Sequence, residues 1–283
     1  MTGFSTQWLD LREPADQRSR NRKLEGALAK HFDGWSPLTI VDLGCGTGAN
    51  LRAVAPLLGP EQHWTLVDRD QALLDAAAHR LSTWADGADW KDSQLALFKG
   101  AKRINVAFRC ADLASDLDSA LGPNANLVTA SALFDLASAV FITGLARAVA
   151  ARQSAFYTVL SYDGDQRWTP EHAADALMLE AFHTHQRCDK GLGPAAGPDA
   201  PDALSEAFSA ADYRVCAGDS AWRLGPGDAT LIAELARGFA AAVAETGLVT
   251  ASSIATWCAL SRSGAIVGHI DTLALPSRHA REC

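Results

Sequence analysis

The chain of 283 residues is long enough for one large α/β domain with insertions, or at most two small ones. A hydrophobic fraction of 48% supplies a full core, and a formal net charge of -8 gives a surface that on average repels nucleic acid. The six cysteines are scattered without a C-x-x-C pair and read as reduced thiols of a cytoplasmic protein. Met1–Asp10 lacks the basic start and apolar core of a signal peptide, and no apolar run of about 18 residues offers a membrane span.

From the N-terminus, Trp8, Leu9 and Leu11 precede Arg12-Glu13-Pro14-Ala15-Asp16, which reads as a turn and helix start with Pro14 near the first helical turn. Arg18, Arg20, Arg22 and Lys23 then lead into Leu24, Leu28 and Phe32 at helical spacing, an amphipathic arm over residues 1–36. The β-branched run Leu38–Leu43 predicts a buried strand. It breaks into Gly44-Cys45-Gly46-Thr47-Gly48, and Leu51, Val54, Leu57 and Leu58 continue as a helix that Gly59-Pro60 ends. A strand, a glycine turn and a helix start make a nucleotide-type site, because glycine accepts positive φ and lets a ligand approach the bare backbone. Gly44, Gly46 and Ala49 match the dinucleotide fingerprint only loosely. Asp42, at the strand's tip, would repel a diphosphate and suits a ligand carrying an ammonium or sulfonium.

The second strand, His63–Val67, closes in Asp68, 24 residues after Gly44, where a carboxylate can accept both ribose hydroxyls. Arg69 follows, then a helix over Gln71–Thr83. Residues 84–90 are irregular. The alternation Leu95, Leu97 and Ile104, Val106, Phe108 around Lys99-Gly100-Ala101-Lys102 predicts a hairpin, with Gln94–Phe98 antiparallel to a third strand at Arg103–Cys110. Asp112 can cap the helix that starts at Leu113. Asn126–Ser131 is the fourth strand, and Asp135 can cap a helix over Leu136–Ala151. Ser154–Ser161 is the fifth, with Tyr162-Asp163-Gly164-Asp165 at the C-terminal rim where open α/β sheets bind ligands.

A helix over Pro170–His185 then runs into the polar cluster His183-Thr184-His185-Gln186-Arg187-Cys188 and the Gly/Pro-rich stretch 191–201, a natural place for substrate recognition. H-x-H-x-x-C lacks a fourth ligand, so no metal site is expected. Pro201–Ala211 is a helix, Tyr213–Cys216 opens the sixth strand, and Ser220–Leu224 continues or pairs with it. Pro226–Glu245 and Ser252–Ser261 are helices, and Ala265–Leu275 is the last strand.

Val41-Asp42-Leu43-Gly44-Cys45-Gly46-Thr47-Gly48 resembles motif I of the class I S-adenosylmethionine (SAM)-dependent methyltransferases. Asp68, Cys110–Leu113 and Ser131–Leu136 follow in the family's order, all within the first 160 residues. The resemblance implies one α/β domain over 1–283: a doubly wound, mostly parallel seven-stranded sheet with helices on both faces. An antiparallel seventh strand would lie beside the fifth, with an extra hairpin before strand three and a helical insertion at 162–211 after strand five. It implies SAM as cofactor and a small-molecule methyl acceptor whose O or N is the nucleophile. Asp42 would meet the methionine ammonium directly or through water, with Gly44, Gly46 and Gly48 as the cradle. Asp68 would take the ribose, with Arg69 beside it, and Asp112 and Leu113 the adenine. Ser131 would line the methionine end. The arm would act as a lid, and Arg12, Phe134, Tyr162, Asp163 and Arg187 would contact substrate. His183 and His185, ahead of Asp135, are candidates for general base. Two other classes remain open: an NAD(P)-dependent oxidoreductase, and an RNA-directed methyltransferase whose basic face would be Arg18, Arg20, Arg22 and Lys23. A homodimer is compatible with the chain.

Overall fold

The apolar run Leu38–Leu43 forms β1, in the middle of a sheet with ten strands among the residues described, 4–277, in the computed structural model. The others are β2 (Glu61–Asp68), β3 (Gly87–Lys91), β4 (Gln94–Lys99), β5 (Lys102–Cys110), β6 (Leu127–Ser131), β7 (Ala155–Thr169), β8 (Tyr213–Asp219), β9 (Trp222–Leu224) and β10 (Gly264–Pro276). Their order is β3-β4-β5-β2-β1-β6-β7-β10-β8, with β9 paired to β10. β5, β2, β1, β6 and β7 are mutually parallel, and β10 runs antiparallel between β7 and β8. The expected seven strands are therefore present, and β3, β4 and β9 are additions.

Side chains alternate across β1 as the strand period requires. Leu38 and Ile40 enter one core with helices α1 (Thr6–Ser19), α2 (Arg22–His31), α3 (Ala49–Val54), α4 (Gln71–Trp84), α7 (Asp175–Gln186), α9 (Ala229–Thr246) and α10 (Ala251–Ala259). Val41 and Leu43 enter the other, with α5 (Leu113–Leu121), α6 (Ala139–Ala151) and α8 (Ala200–Ala210). Both faces of the sheet are covered, which is why its central strands read as continuous apolar runs.

Four local expectations are corrected. Residues 12–16 are not a turn: Ser5 caps α1 by accepting from Trp8 N–H, and Pro14 lies inside the helix. An interior proline normally costs about 3 kcal/mol; here the neighbouring Ala15 and Asp16 are buried. The irregular segment after α4 contains β3, joined to β4 through Asp92 and Ser93, both with positive φ. That is the geometry of a type I′ hairpin turn, unsignalled because neither residue is glycine or asparagine. The helix expected from Leu136 starts at Ala139, capped by Ser138, after a 3-10 turn over Phe134–Leu136. The fifth strand does not stop at Ser161, so the segment predicted as a helical insertion from 162 begins instead as strand.

That last difference shapes the molecule. Leu160 has φ 59°, and its N–H is held by Asp271 Oδ1 at 2.9 Å. Asp271 Oδ2 accepts from Asn21 N–H at 2.8 Å, and the β7–β10 register shifts at this point. Past the bend, β7 continues with β10 and β9 as an antiparallel wall beyond the parallel core. Cys45, Cys110, Cys188 and Cys258 are free thiols. Cys216 is disulfide-bonded, against the expectation of thiols throughout.

Asp271→Ala strands two buried backbone donors. It should lower unfolding free energy by about 2–4 kcal/mol, at roughly 1–3 per lost partner, read from urea denaturation; Asp271→Asn, which keeps one acceptor oxygen, should lose less.

Candidate functional site

A cavity of about 1040 Å³ opens at the C-terminal ends of β1, β2, β5 and β6. Its first wall is the glycine turn. Gly44, Gly46 and Gly48 have φ of 61°, 52° and 76°, which a side chain would strain. A Cβ on Gly44 would meet Leu133 at 3.1 Å, and one on Gly46 would meet Leu9 Cδ1 of α1 at 3.2 Å. Asp68 stands beside the turn. Its Oδ2 accepts Gly46 N–H at 2.9 Å and its Oδ1 accepts Asp70 N–H at 3.0 Å. Arg69, Asp112, Leu113 and Ser131 complete this end. Asp112 caps α5 by accepting Ala114 N–H through Oδ1. An outer cavity of about 680 Å³, sharing Arg69, Asp70 and Asp112, joins this end to the loop at 189–191.

The opposite end lies between α1, the 3-10 turn after β6 and the β7–β10–β9 wall. Arg12 donates to Asp16 from Nε and Nη2 at 2.9 and 3.2 Å, and its guanidinium lies 5.1 Å from the Trp222 ring centre. Trp222 Nε1–H donates to Asp16 Oδ1 at 3.0 Å. Burial pushes the Asp135 carboxyl up to about 6, against the pull of the Arg12 charge, and its Oδ1 has no hydrogen-bond partner. Burial, reinforced by Arg12, drives the His269 imidazole down to about 3 and keeps it neutral; its Nδ1 is also unpartnered. Gln166 Nε2 is a third buried polar atom with no partner.

Of the residues singled out in the sequence, the cavity brings together Gly44, Gly46, Asp68, Arg69, Asp112, Leu113, Ser131, Arg12, Tyr162, Asp135 and His185. The others stand elsewhere. Asp42 is fully buried beneath the turn, where Asn50 Nδ2 donates to it at 2.7 Å. Burial raises it to about 7, and it is absent from the cavity lining, whereas Asn50, which bonds it, does line the cavity. Gly48 heads α3 and packs on Leu81 and Ala77 of α4. Phe134 is core, edge-on to Phe156 at 5.5 Å. Asp163 accepts Asp165 N–H and packs on Gly268, and Arg187 pairs outward with Asp199.

The three candidate bases stand in different surroundings. His183 Nε2 lies 3.1 Å from both Tyr162 Oη and Gly164 O, behind Tyr162 and outside the cavity wall. His185 sits at the rim, 3.1 Å from Glu245. Asp135 is half-buried, with its Oδ1 shut from solvent and unpartnered; Ser138, not Asp135, caps α6. Sequence reasoning missed His269, Gln166, Trp222 and Asp16. The one available signal was two titratable residues, His269 and Asp271, within the otherwise apolar last strand. Among the described residues no cluster of His, Cys, Asp or Glu could hold a metal ion.

No protein-family model and no curated protein matches the chain. Solved structures do. A cyclopropane-fatty-acyl-phospholipid synthase-like protein from Lactobacillus casei is 15% identical over 95% of both chains, with a TM-score of 0.50. The YcgJ protein of Bacillus subtilis is 12% identical over 93% of this chain and 100% of its own, also at 0.50. A SAM-dependent methyltransferase from Thiobacillus denitrificans, bound to S-adenosyl-L-homocysteine, is 14% identical over 97% of this chain and 100% of its own, at 0.46. The first two likenesses, with the sheet order and the reversed β10, show a mixed α/β fold of the class I methyltransferase type.

Because Asp42 titrates at about 7 when folded and near 4 when unfolded, the folded state holds its proton over that interval. Stability therefore falls as pH rises from about 4 to 7. Unfolding free energies at pH 5 and 7.5 should show wild type less stable at the higher pH, and Asp42→Asn should remove much of that slope.

Proposed function

We propose that this chain is a SAM-dependent methyltransferase that moves a methyl group to a nucleophilic oxygen or nitrogen of a small molecule. One observation carries the reading. The glycine turn with Asp68 and Asp112, and Asp135 beside Arg12, wall a single continuous cavity. Its first end fits the adenosine and methionine parts of the cofactor. The bare backbone at Gly44 and Gly46 admits the ligand, Asp68 accepts from the ribose, and Asp112 and Leu113 border the adenine. A diphosphate fits poorly: it would have to claim the Gly46 N–H already given to Asp68, and it would face Asp68, Asp70 and Asp112. This observation favours SAM over a nicotinamide cofactor. An RNA substrate is disfavoured because the basic cluster is dispersed: Arg18 pairs with Asp228, Arg22 pairs with Glu25, and Arg20 is buried.

The cofactor supplies a sulfonium methyl group that is already electrophilic. The protein's work is then orientation and proton management. Arg12, fixed by Asp16 and Trp222, and Leu133 and Leu136 shape the space next to the turn and keep water out. Asp135 is placed to take the proton of the nucleophile. With a value of about 6 it is mostly ionised at neutral pH, and its Oδ1 is free to accept.

Asp68→Ala should weaken SAM binding by about 1–3 kcal/mol, measured by calorimetry; an unchanged dissociation constant would remove Asp68 from the ribose. Asp135→Asn should lower kcat by roughly 10²–10⁴-fold and leave SAM affinity unchanged. Wild-type kcat should rise with pH up to about 6 and then level, since only the ionised carboxylate accepts.

A further inference from the structure

The end of the cavity away from the glycine turn has a composition that selects its occupant. Three polar atoms there are buried and without partners: Asp135 Oδ1, Gln166 Nε2 and His269 Nδ1. A buried polar atom left unpaired is costly, so a ligand that pairs all three is favoured over one that pairs none. They do not sit together. Gln166 pairs with Val267 across β7 and β10, and Val267 with Trp222 across β10 and β9, so these three side chains share one wall. His269 joins that wall, its ring 5.3 Å from Trp222. Asp135 comes from the turn after β6, close enough to Arg12 to feel its charge, as His269 also does. Phe182, Leu235, Phe239 and Val267 add apolar surface, and the Tyr162 ring stands among them.

Charge narrows the choice further. At this end one guanidinium, Arg12, faces two carboxyls, Asp16 and Asp135, and Arg12 is already bonded through two nitrogens to Asp16. The rim residues Glu234 and Arg237 pair with each other. Lys190 stands at the mouth, shared with the outer cavity of Arg69 and Asp112, with its Nζ 3.4 Å from the His185 ring. A ligand carboxylate placed beside Asp135 would therefore meet a guanidinium already committed to Asp16 and a second acid next to it, and would be penalised. An uncharged hydrogen-bond acceptor meets no such penalty.

Resting on the methyltransferase reading, we propose that the methyl acceptor is an uncharged hydroxyaryl carbonyl compound. Its phenolic O–H faces Asp135, its carbonyl oxygen takes the free N–H of Gln166 beside His269, and its ring is walled by Trp222 and Phe182. In the transfer Asp135 takes the phenolic proton as the oxygen lone pair closes on the methyl carbon and the C–S electron pair returns to sulfur, leaving a neutral ether and a thioether. Acidity supports a phenol over an aliphatic alcohol. A phenol titrates near 10, about four units above Asp135, whereas an aliphatic alcohol lies far higher, near water itself.

Calorimetry on the full chain saturated with S-adenosylhomocysteine tests this with four probes. 4-Hydroxyacetophenone and 7-hydroxycoumarin should bind at least tenfold tighter than 4-hydroxybenzoate and 1-phenylethanol. Gln166→Leu should cut the affinity of the two carbonyl phenols at least tenfold while the S-adenosylhomocysteine dissociation constant stays put; Gln166→Met repeats the measurement if the leucine variant does not fold. Equal or tighter binding of 4-hydroxybenzoate overturns the proposal, as does an unaltered affinity in both Gln166 variants. A chain that takes up no S-adenosylhomocysteine at all overturns the methyltransferase reading beneath it, so the two failures are told apart before any acceptor probe is added.

Discussion

Asn50 holds the glycine-turn end of the cavity together. Its amide nitrogen donates to Asp42 at 2.7 Å and to Thr129 Oγ1 at 3.0 Å, and its carbonyl accepts from Arg20 at 2.9 Å. One side chain thus joins β1, β6, α3 and the junction between α1 and α2, and all four residues are buried. The cost of burying Asp42 is met in part by this bond and in part by protonation. Acting alone as an anion at the strand tip, it would carry the full desolvation penalty. Placing the charge question on Asn50 and Arg20 explains how the turn can be rigid while its nearest acid is neither exposed nor strongly ionised.

The second constraint is backbone strain at the strand ends. Ala132 and Leu160 both have positive φ, at 50° and 59°, and both line the cavity. Non-glycine residues in this region cost of order 1–3 kcal/mol each and persist only where neighbours hold them. Here the holding bonds are visible: Ala132 N–H donates to Val159 O at 2.9 Å, and Leu160 N–H donates to Asp271 Oδ1. The result is geometric. β6 ends by turning Leu133 toward Gly44, and β7 bends and extends beyond the parallel core, which places Gln166 and Tyr162 opposite Asp135. Without that bend the cavity would have a floor and no far wall.

What was legible in the sequence follows from distance along the chain. The glycine turn, Asp68 and Asp112 each lie at the end of a strand that the hydrophobic pattern locates, so strand order and a local motif place them together. The same holds for the hairpin of β4 and β5, where alternation marks both arms. The far end obeys no such rule. Arg12, Asp135, Gln166, Trp222 and His269 come from five separate elements, and only the fold brings them to one place. His183 shows the reverse case. It looked reactive beside His185, yet its position on α7 turns it behind Tyr162 to satisfy Gly164 O. Helical neighbours two apart face different ways, so the pair could not serve one site. Pro14 misled for a related reason: proline marks a helix start by local statistics, whereas Ser5 had already capped the helix two turns earlier.

The arm itself joins the two ends, and its attachments explain how a ligand could reach a cavity it helps to close. α2 is anchored by Leu24 and Leu28, with Phe32 just beyond it, all deep in the core. α1 fully buries only Ala15 and Asp16, packs Trp8 and Leu11 partly on the core, and is held by the largely buried Glu13–Arg52 pair and by Asp10–Arg80 and Arg18–Asp228 at its more exposed rims. Exposed ion pairs contribute about 0–1 kcal/mol each, far less than a fully buried Leu or Phe at roughly 1.5–3. Between the two helices stand Arg20 and Asn21, tied to Asn50 and Asp271. Separating α1 therefore costs less than separating α2, and the change falls just past Ser19. The sharp change falls at the residues that also brace the glycine turn and the β7 bend, so displacing α1 would open the far wall at Arg12 and Asp16 while those two braces stayed in place.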